Sequence, residues 1–190
     1  MPIPDSELIR QVRAGGKHSF AQLVDRYKNQ SMTLAYRMLK NRQDAEEAVQ
    51  DAFVRAYNGL EKFEGNAKFS TWLYRIVYNV CLTRIGRRKQ EFPSLPFDDS
   101  LDPEILDRKP GLFREIEARD LVVHIRKVLE LLPQKYATIL TLFYFQHLSY
   151  DEISEVTQLP AGTVKSHLFR ARALLIERLR HEFQLEHELV

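Results

Sequence analysis

An all-α fold of two small helical domains joined by an acidic, proline-rich linker is what the sequence predicts, with a helix-turn-helix in the C-terminal domain. Three observations carry this expectation. Apolar residues recur at three- and four-residue steps through most of the 190 residues, and strand-like alternation is missing throughout. Residues 91 to 111 break that pattern with four of the eight prolines and with Asp98, Asp99, Asp102, Glu104 and Asp107, the composition of an extended connector. Finally, Leu148 to Leu175 places two short helical patterns on either side of a tight break. The expected boundaries are residues 1–90, a linker over 91–111, and 112–190.

Composition narrows the class. A formal charge of +2 with 44% hydrophobic residues suits a soluble globular chain. The single cysteine, Cys81, excludes an internal disulfide and a multi-cysteine zinc site, and reads as a small buried apolar residue. No apolar run reaches the roughly 18 residues of a membrane span, and MPIPDSELIRQ lacks the pattern of a signal peptide, so no membrane insertion and a cytoplasmic location are expected. The near-neutral total conceals a pattern: residues 1–90 carry +7, 91–120 carry −5 and 121–190 carry 0, which suggests separate partners for separate parts.

Along the chain, a short helix is expected over residues 5–14, with Asp5 or Ser6 at its start and Gly15-Gly16 past its end. From Ser19 to Leu39 the positions Phe20, Leu23, Val24, Tyr27, Leu34, Ala35, Met38 and Leu39 trace an amphipathic helix. A turn at Asn41 to Asp44 leads into Asp44 to Leu60, the cleanest period in the chain, whose inner face holds Ala45, Ala48, Val49, Ala52, Phe53, Ala56, Tyr57 and Leu60. Its other face carries Glu46, Glu47, Gln50, Asp51 and Arg55.

Gly65-Asn66 interrupts helix in the next stretch, and Ser70 offers an N-cap for TWLYRIVYNVCLTRIGRRK. There Leu73, Ile76, Val77 and Val80 form the inward stripe, leaving Thr71, Arg75, Tyr78 and Leu82 outward and Trp72 and Asn79 on a border. Trp72, Tyr74 and Tyr78 fit two readings: aromatics that complete a helical core, or a surface that stacks bases beside a basic helix end. Past the linker, Leu112 to Leu132 is expected to be helical through Phe113, Ile116, Val122, Ile125, Val128, Leu129 and Leu132; Pro133 ends it, and Gln134 to His147 supplies a further helix. The tail from Arg178 to Val190 is expected to continue the last helix and fray.

The stretch LSYDEISEVTQLPAGTVKSHLFRARALL is the most informative. Ser149 followed by Glu152 is a capping-box signature that opens a helix near Tyr150 and lets it run to about Gln158. Pro160 disfavours helix in the residue before it yet is tolerated at the start of the next, so a second helix begins around Ala161. At about 100° per residue, Val164, Leu168, Ala171 and Leu175 share one face, while Ser166, Phe169, Arg170 and Ala173 share the other, flanked by Lys165 and Arg172. Gly162 to Arg172 holds three cations and no carboxylate, which favours a DNA-reading face over a solvated helical hairpin.

No phosphate-binding loop, nucleophile elbow, HExxH pair or dinucleotide fingerprint occurs, and the six histidines are scattered, so nothing supports a catalytic site, a metal or a cofactor. A self-sufficient helix-turn-helix regulator, whose N-terminal domain dimerises or senses a ligand, is one reading that these residues allow.

Three stretches together resemble one family. DAEEAVQDAFVRAY (44–57), FEGNAKFSTWLYRIVYN (63–79) and, after the acidic linker, LSYDEISEVTQLPAGTVKSHLFRAR (148–172) resemble a bacterial extracytoplasmic-function RNA polymerase sigma factor, and the likeness covers nearly the whole chain. The resemblance implies a non-enzymatic subunit that binds core RNA polymerase, through its beta-prime clamp and beta subunit, recognises promoter DNA and helps to open it. It implies polymerase contacts for Asp44, Glu47, Gln50 and Asp51. It implies minus-ten DNA contacts for Asn66, Phe69, Ser70, Thr71, Trp72, Arg75 and Asn79, and minus-thirty-five contacts for Lys165, Ser166, Phe169 and Arg170. The linker is similar to the family's acidic connector, which enters the RNA path of the polymerase, and an anti-sigma factor is an implied partner. The regulator reading explains Leu148 to Leu175 equally well, but not the TWLYRIVYN helix or the acidic linker.

Overall fold

The computed structural model describes residues 3–91 and 118–188, and among these all regular structure is helical. Four helices form the N-terminal half: α1 (Asp5–Arg13), α2 (Lys17–Leu39), α3 (Arg42–Gly59) and α4 (Phe69–Glu91). Four form the other: α5 (Ala118–Leu131), α6 (Gln134–Leu140), α7 (Tyr150–Thr157) and α8 (Ala161–Glu188). The linker over 91–111 and the expected helix start at Leu112, with Phe113 and Ile116, lie outside the described residues but for Glu91 itself.

Local chemistry sets most of the boundaries. Asn41 caps α3, its side chain accepting the Asp44 N–H at 3.0 Å, so that helix opens two residues before the expected Asp44. Neither Asp5 nor Ser6 caps α1; its N-cap is Pro4, and the Asp5 carboxylate instead accepts from the Arg26 guanidinium and the Tyr27 hydroxyl, tying α1 to α2. Burial and this hydrogen bond to Asp5 push the Tyr27 hydroxyl well above the ordinary phenol range. Tyr57, expected on the inner face of α3, is exposed, because it lies at the rim against the edge of Phe20 at 4.9 Å. Cys81 is fully buried, as read from composition, and burial pushes its thiol up to about 12.

The helix expected over Gln134 to His147 is interrupted. After α6 the chain makes a π-helical turn, Thr141–Phe145, closed by the Gln146 N–H on the Thr141 carbonyl at 3.1 Å. Two competing partners pull it off the α-helical path: the Leu148 N–H bonds the Leu142 carbonyl, and the Gln146 side chain donates to the Gln30 carbonyl in α2 at 2.9 Å. The turn presents Tyr144 and Phe145 to solvent and leaves Phe143 half-buried.

A single apolar core runs through both halves, with Leu23, Leu34, Leu73 and Val77 on one side and Leu132, Tyr136, Leu140, Ile153, Val164 and Leu168 on the other. Helix α2 packs on α6, and α4 packs on α7. Polar links cross the same seam: Lys40 Nζ donates to the carbonyls of Glu130 at 2.8 Å and Leu132 at 3.2 Å, and Lys68 Nζ pairs with Glu152 at 2.9 Å.

Candidate nucleic-acid interface

The helix-turn-helix forms as the residues dictate. Ser149 and Glu152 complete a capping box, with the Glu152 N–H on the Ser149 hydroxyl at 3.2 Å and the Ser149 N–H on the Glu152 carboxylate at 2.8 Å. Gln158 ends α7 in the left-handed conformation, and the Ser154 hydroxyl donates to the Leu159 carbonyl at 2.6 Å, which holds the turn closed. Pro160 precedes Ala161, and its carbonyl accepts the first helical bond of α8, from Val164 at 3.0 Å.

On α8 the two faces separate as periodicity predicts. Val164, Leu168 and Ala171 are buried and Leu175 is half-buried, while Lys165, Ser166, Phe169 and Arg170 are exposed, Phe169 to 56%. A phenylalanine that exposed on a cationic face keeps apolar surface in water, and covering it is favourable; the floor of a DNA groove offers thymine methyls. The Ser166 hydroxyl donates to the Gly162 carbonyl at 3.0 Å, a bond it would exchange to reach a base.

The proposed minus-ten segment is arranged differently. Arg13 of α1 donates to the Leu60 carbonyl at 3.2 and 3.1 Å and also to the Phe63 carbonyl, fixing the chain as it enters the loop. Gly65 adopts a φ of +78° with open space around its Cβ position, so glycine is required there by backbone conformation rather than by crowding. Asn66 stands exposed beyond it and donates to Glu64 at 2.9 Å.

Helix α4 begins at Phe69, not after an N-cap at Ser70, since the Trp72 N–H already bonds the Lys68 carbonyl at 3.1 Å. Packing decides this boundary: Phe69 is 3% exposed among Tyr27, Phe63 and Trp72, with ring centroids 5.5, 6.0 and 5.7 Å away. Phe69 is therefore core here and not an open wall for a base. Thr71, expected outward, is 1% exposed, covered by α7, with its hydroxyl 3.4 Å from Glu152.

Trp72 is half-buried against Phe63 and the backbone at Gly59, Tyr74 is buried, and Tyr78, expected outward, is half-buried against the core, so all three aromatics serve the core at least in part. Arg75 and Asn79 are exposed and Ser70 is half-buried. Asn79 lies ten residues along α4 from Phe69, a rise of about 15 Å, which puts it on a different stretch of surface from the first turn.

Glu152 joins the two segments. Burial opposes its ionisation, but the Ser149 N–H, Lys68 and the Ser149 hydroxyl outweigh that, and its pKa is lowered. One carboxylate thus caps the helix-turn-helix and anchors it to the start of α4.

The acidic face of α3 is exposed at Glu47 and Gln50 and half-buried at Asp44 and Asp51. Asp51 takes a bidentate pair from Arg55 at 3.0 Å, and Glu47 pairs with Arg84 of α4 at 3.0 Å, which lowers the Glu47 pKa. Sequence reasoning missed the Arg84 link, because nothing in spacing connects positions 37 residues apart. No group of residues that could hold a metal occurs among the described residues, and no described helix is long and apolar enough to cross a membrane.

With this geometry in view, comparison with known proteins places the chain. The model of Sigma-70 region 2 matches residues 23–91 and that of Sigma-70 region 4 matches residues 124–175. The chain is 38% identical to the ECF RNA polymerase sigma factor SigW of Bacillus subtilis, over 90% of this chain and 95% of that one. It is 33% identical to the RNA polymerase sigma-H factor of Pseudomonas aeruginosa, over 93% and 94%. Among solved structures, CnrH in complex with the cytosolic domain of CnrY matches with a TM-score of 0.65 at 25% identity, covering 93% of this chain and 97% of that one.

Proposed function

The chain belongs to the extracytoplasmic-function RNA polymerase sigma factors and directs transcription initiation at promoters; from that premise we propose which of its residues meet which partner. Lys165, Ser166, Phe169 and Arg170 on the outward face of α8 contact the minus-thirty-five box, Lys165 at a phosphate. The loop at Asn66 with Ser70, Thr71, Trp72, Arg75 and Asn79 of α4 captures the minus-ten strand, Phe69 supporting it from within. Asp44, Glu47, Gln50 and Asp51 of α3 dock on the beta-prime clamp of core polymerase, and the acidic linker follows the RNA path along the beta subunit. The protein works in the cytoplasm and carries no catalysis of its own.

One observation carries this reading: α8 offers an exposed aromatic among three cations, without a carboxylate, on a helix held rigidly by a capped partner. Arginine can donate a bidentate pair to guanine and phenylalanine can touch a thymine methyl, so the exposed set has the chemistry of a major-groove reader. Burial of Thr71 beneath α7 adds a requirement. For α4 to meet a strand along its first turn, α7 must move away, which fits a factor that reads promoters only once polymerase holds its two halves apart. CnrH was solved with a protein partner bound, and a partner that keeps this chain closed would act as an anti-sigma factor.

Run-off transcription with purified core polymerase and genomic fragments tests the reading. Promoter-specific transcripts are expected only when protein and core are both present. Tight, specific binding by the protein alone, as a dimer on a palindrome, would support the regulator instead.

A further inference from the structure

The π-helical turn and the start of α7 build an aromatic shelf under one edge of α8. Phe143 and Tyr150 stack with centroids 5.4 Å apart and planes 16° from parallel, and Tyr144 meets Phe143 edge-on at 5.0 Å. Two cations of α8 lie on this shelf. The Arg172 guanidinium sits 5.2 Å from the Phe143 centroid and 5.5 Å from that of Tyr144, and its Nε donates to the Tyr144 hydroxyl at 2.8 Å. Lys165 Nζ lies 5.7 Å from the Tyr150 centroid. Both cations are within the range where the negative face of a ring attracts a charge.

Lys165 and Arg172 are seven residues apart, almost two full turns, so they share one flank of the helix, about 10 Å apart along its axis. Arg170, two residues from Arg172, points to the other flank. The shelf therefore underlies only the edge beside the reading face. The bond to Tyr144 engages Nε alone and leaves the two terminal amino groups of Arg172, with four of its five N–H donors, without an intramolecular hydrogen bond among the described residues. A half-exposed guanidinium held by two rings and a hydroxyl, with its terminal amino groups still free to donate, is preorganised for an oxyanion.

We propose that Arg172 is a DNA phosphate contact of the minus-thirty-five complex, and that Tyr144 is its positioning residue. The inference rests on the reading of α8 as the upstream DNA reader. Lys165 and Arg172 follow one DNA strand while Phe169 and Arg170 enter the groove, and the shelf restrains the arginine before DNA arrives. A phosphate contact adds affinity without sequence preference, whereas its positioning residue alters affinity through ordering alone.

These roles separate in the salt dependence of promoter binding by reconstituted holoenzyme, with helicity and thermal unfolding followed alongside. Arg172→Ala should weaken binding roughly tenfold and make the slope of log K against log salt shallower by about 0.9, the value for one phosphate. Preference among minus-thirty-five bases should stay as in wild type. Arg172→Lys should recover the slope but only part of the affinity. Tyr144→Ala should weaken binding by about three- to tenfold with the slope unchanged, since the charge remains and only its order is lost. Tyr144→Phe, which keeps the ring and the fold, should lose about two- to fivefold. Combining Tyr144→Ala with Arg172→Ala should be no worse than Arg172→Ala alone.

An unchanged slope in Arg172→Ala, or an altered base preference, overturns the phosphate assignment. Strictly additive effects of the Tyr144 and Arg172 changes, or wild-type binding by Tyr144→Phe, overturn the positioning role. Wild-type holoenzyme that fails to select promoters would instead overturn the underlying reading, whatever the variants do.

Discussion

Helices α4 and α8 are both assigned to DNA, yet they present their aromatics in opposite ways. Phe169 stands 56% exposed on α8, whereas Phe69 is 3% exposed at the start of α4, locked among three other rings. The reading face of α8 is open as the molecule stands. That of α4 is partly closed, with Thr71 under α7 and Lys68 paired to Glu152. The difference fits the tasks proposed for the two helices. Duplex DNA can be read by a preformed surface, but a strand exists for capture only after melting, so a surface covered until assembly avoids binding single strands prematurely.

The largest effects should come from treating the two phenylalanines alike. Phe69→Ala should cost about 3 to 5 kcal/mol of unfolding free energy, as should Leu168→Ala at about 2 to 5, because each leaves a cavity in a packed core. Phe169→Ala should change stability by less than about 0.5 kcal/mol. Urea unfolding of the three variants measures this directly; a stable Phe69→Ala would mean that the ring is not structural and would erase the contrast.

Next in size are the reading contacts. Phe169→Ala and Arg170→Ala should each cost about 1 to 3 kcal/mol at particular upstream base pairs. Equal weakening on every promoter, with base preference intact, would reduce Arg170 to a phosphate contact.

For α4 the sharper probes are Asn66→Ala and Asn79→Ala, neither of which touches the core. Each should lose about 0.5 to 1.5 kcal/mol of strand capture, the worth of an ordinary hydrogen bond. Holoenzyme should still assemble and bind duplex promoter, while minus-ten thymines lose permanganate reactivity; a premelted bubble should restore part of the transcription. Normal reactivity in both variants would return this segment to scaffold.

The acidic face of α3 should respond more weakly to a single change. Asp51→Arg breaks the pair with Arg55 and reverses charge at the proposed clamp surface, and should slow holoenzyme assembly with helicity preserved. Assembly at the wild-type rate would leave this face to solvent.

The smallest effect concerns the link between the two helices. In Glu152→Gln the amide can still complete the capping box, but the ion pair with Lys68 is lost, at a cost below about 1 kcal/mol. The pH dependence has a definite sign. The folded-state pKa of Glu152 is lowered from 4.5, so its contribution is complete above that value and fades as pH falls through the lowered one. The Thr71 methyl resonance, beside that carboxylate, should follow this titration in wild type and stay flat in Glu152→Gln.

Periodicity and capping chemistry were enough for the order of the helices, though not for the break after α6 or for the first residues of α1 and α4. The order of elements, the buried and exposed faces of α8, the capping box at Ser149 and Glu152 and the burial of Cys81 all depend on residues within a few positions of one another, and local sequence carries that information. The exposure of the α8 face was legible to the same depth: Ser166, Phe169 and Arg170 stand open, with Lys165 exposed beside them.

What local spacing could not contain is which faces meet. Thr71 is outward on its own helix and buried only because α7 lies over it, and Phe69 is enclosed because Tyr27 of α2 and Phe63 before the loop close around it, with Trp72 one turn along its own helix. The π-helical turn that lifts Tyr144 toward Arg172 exists because Leu148 and Gln146 find partners that an uninterrupted helix would deny them. Burial of the first turn of α4, the Glu152 link and the aromatic shelf are properties of surfaces brought together by the hydrophobic core, and only the tertiary structure could decide them.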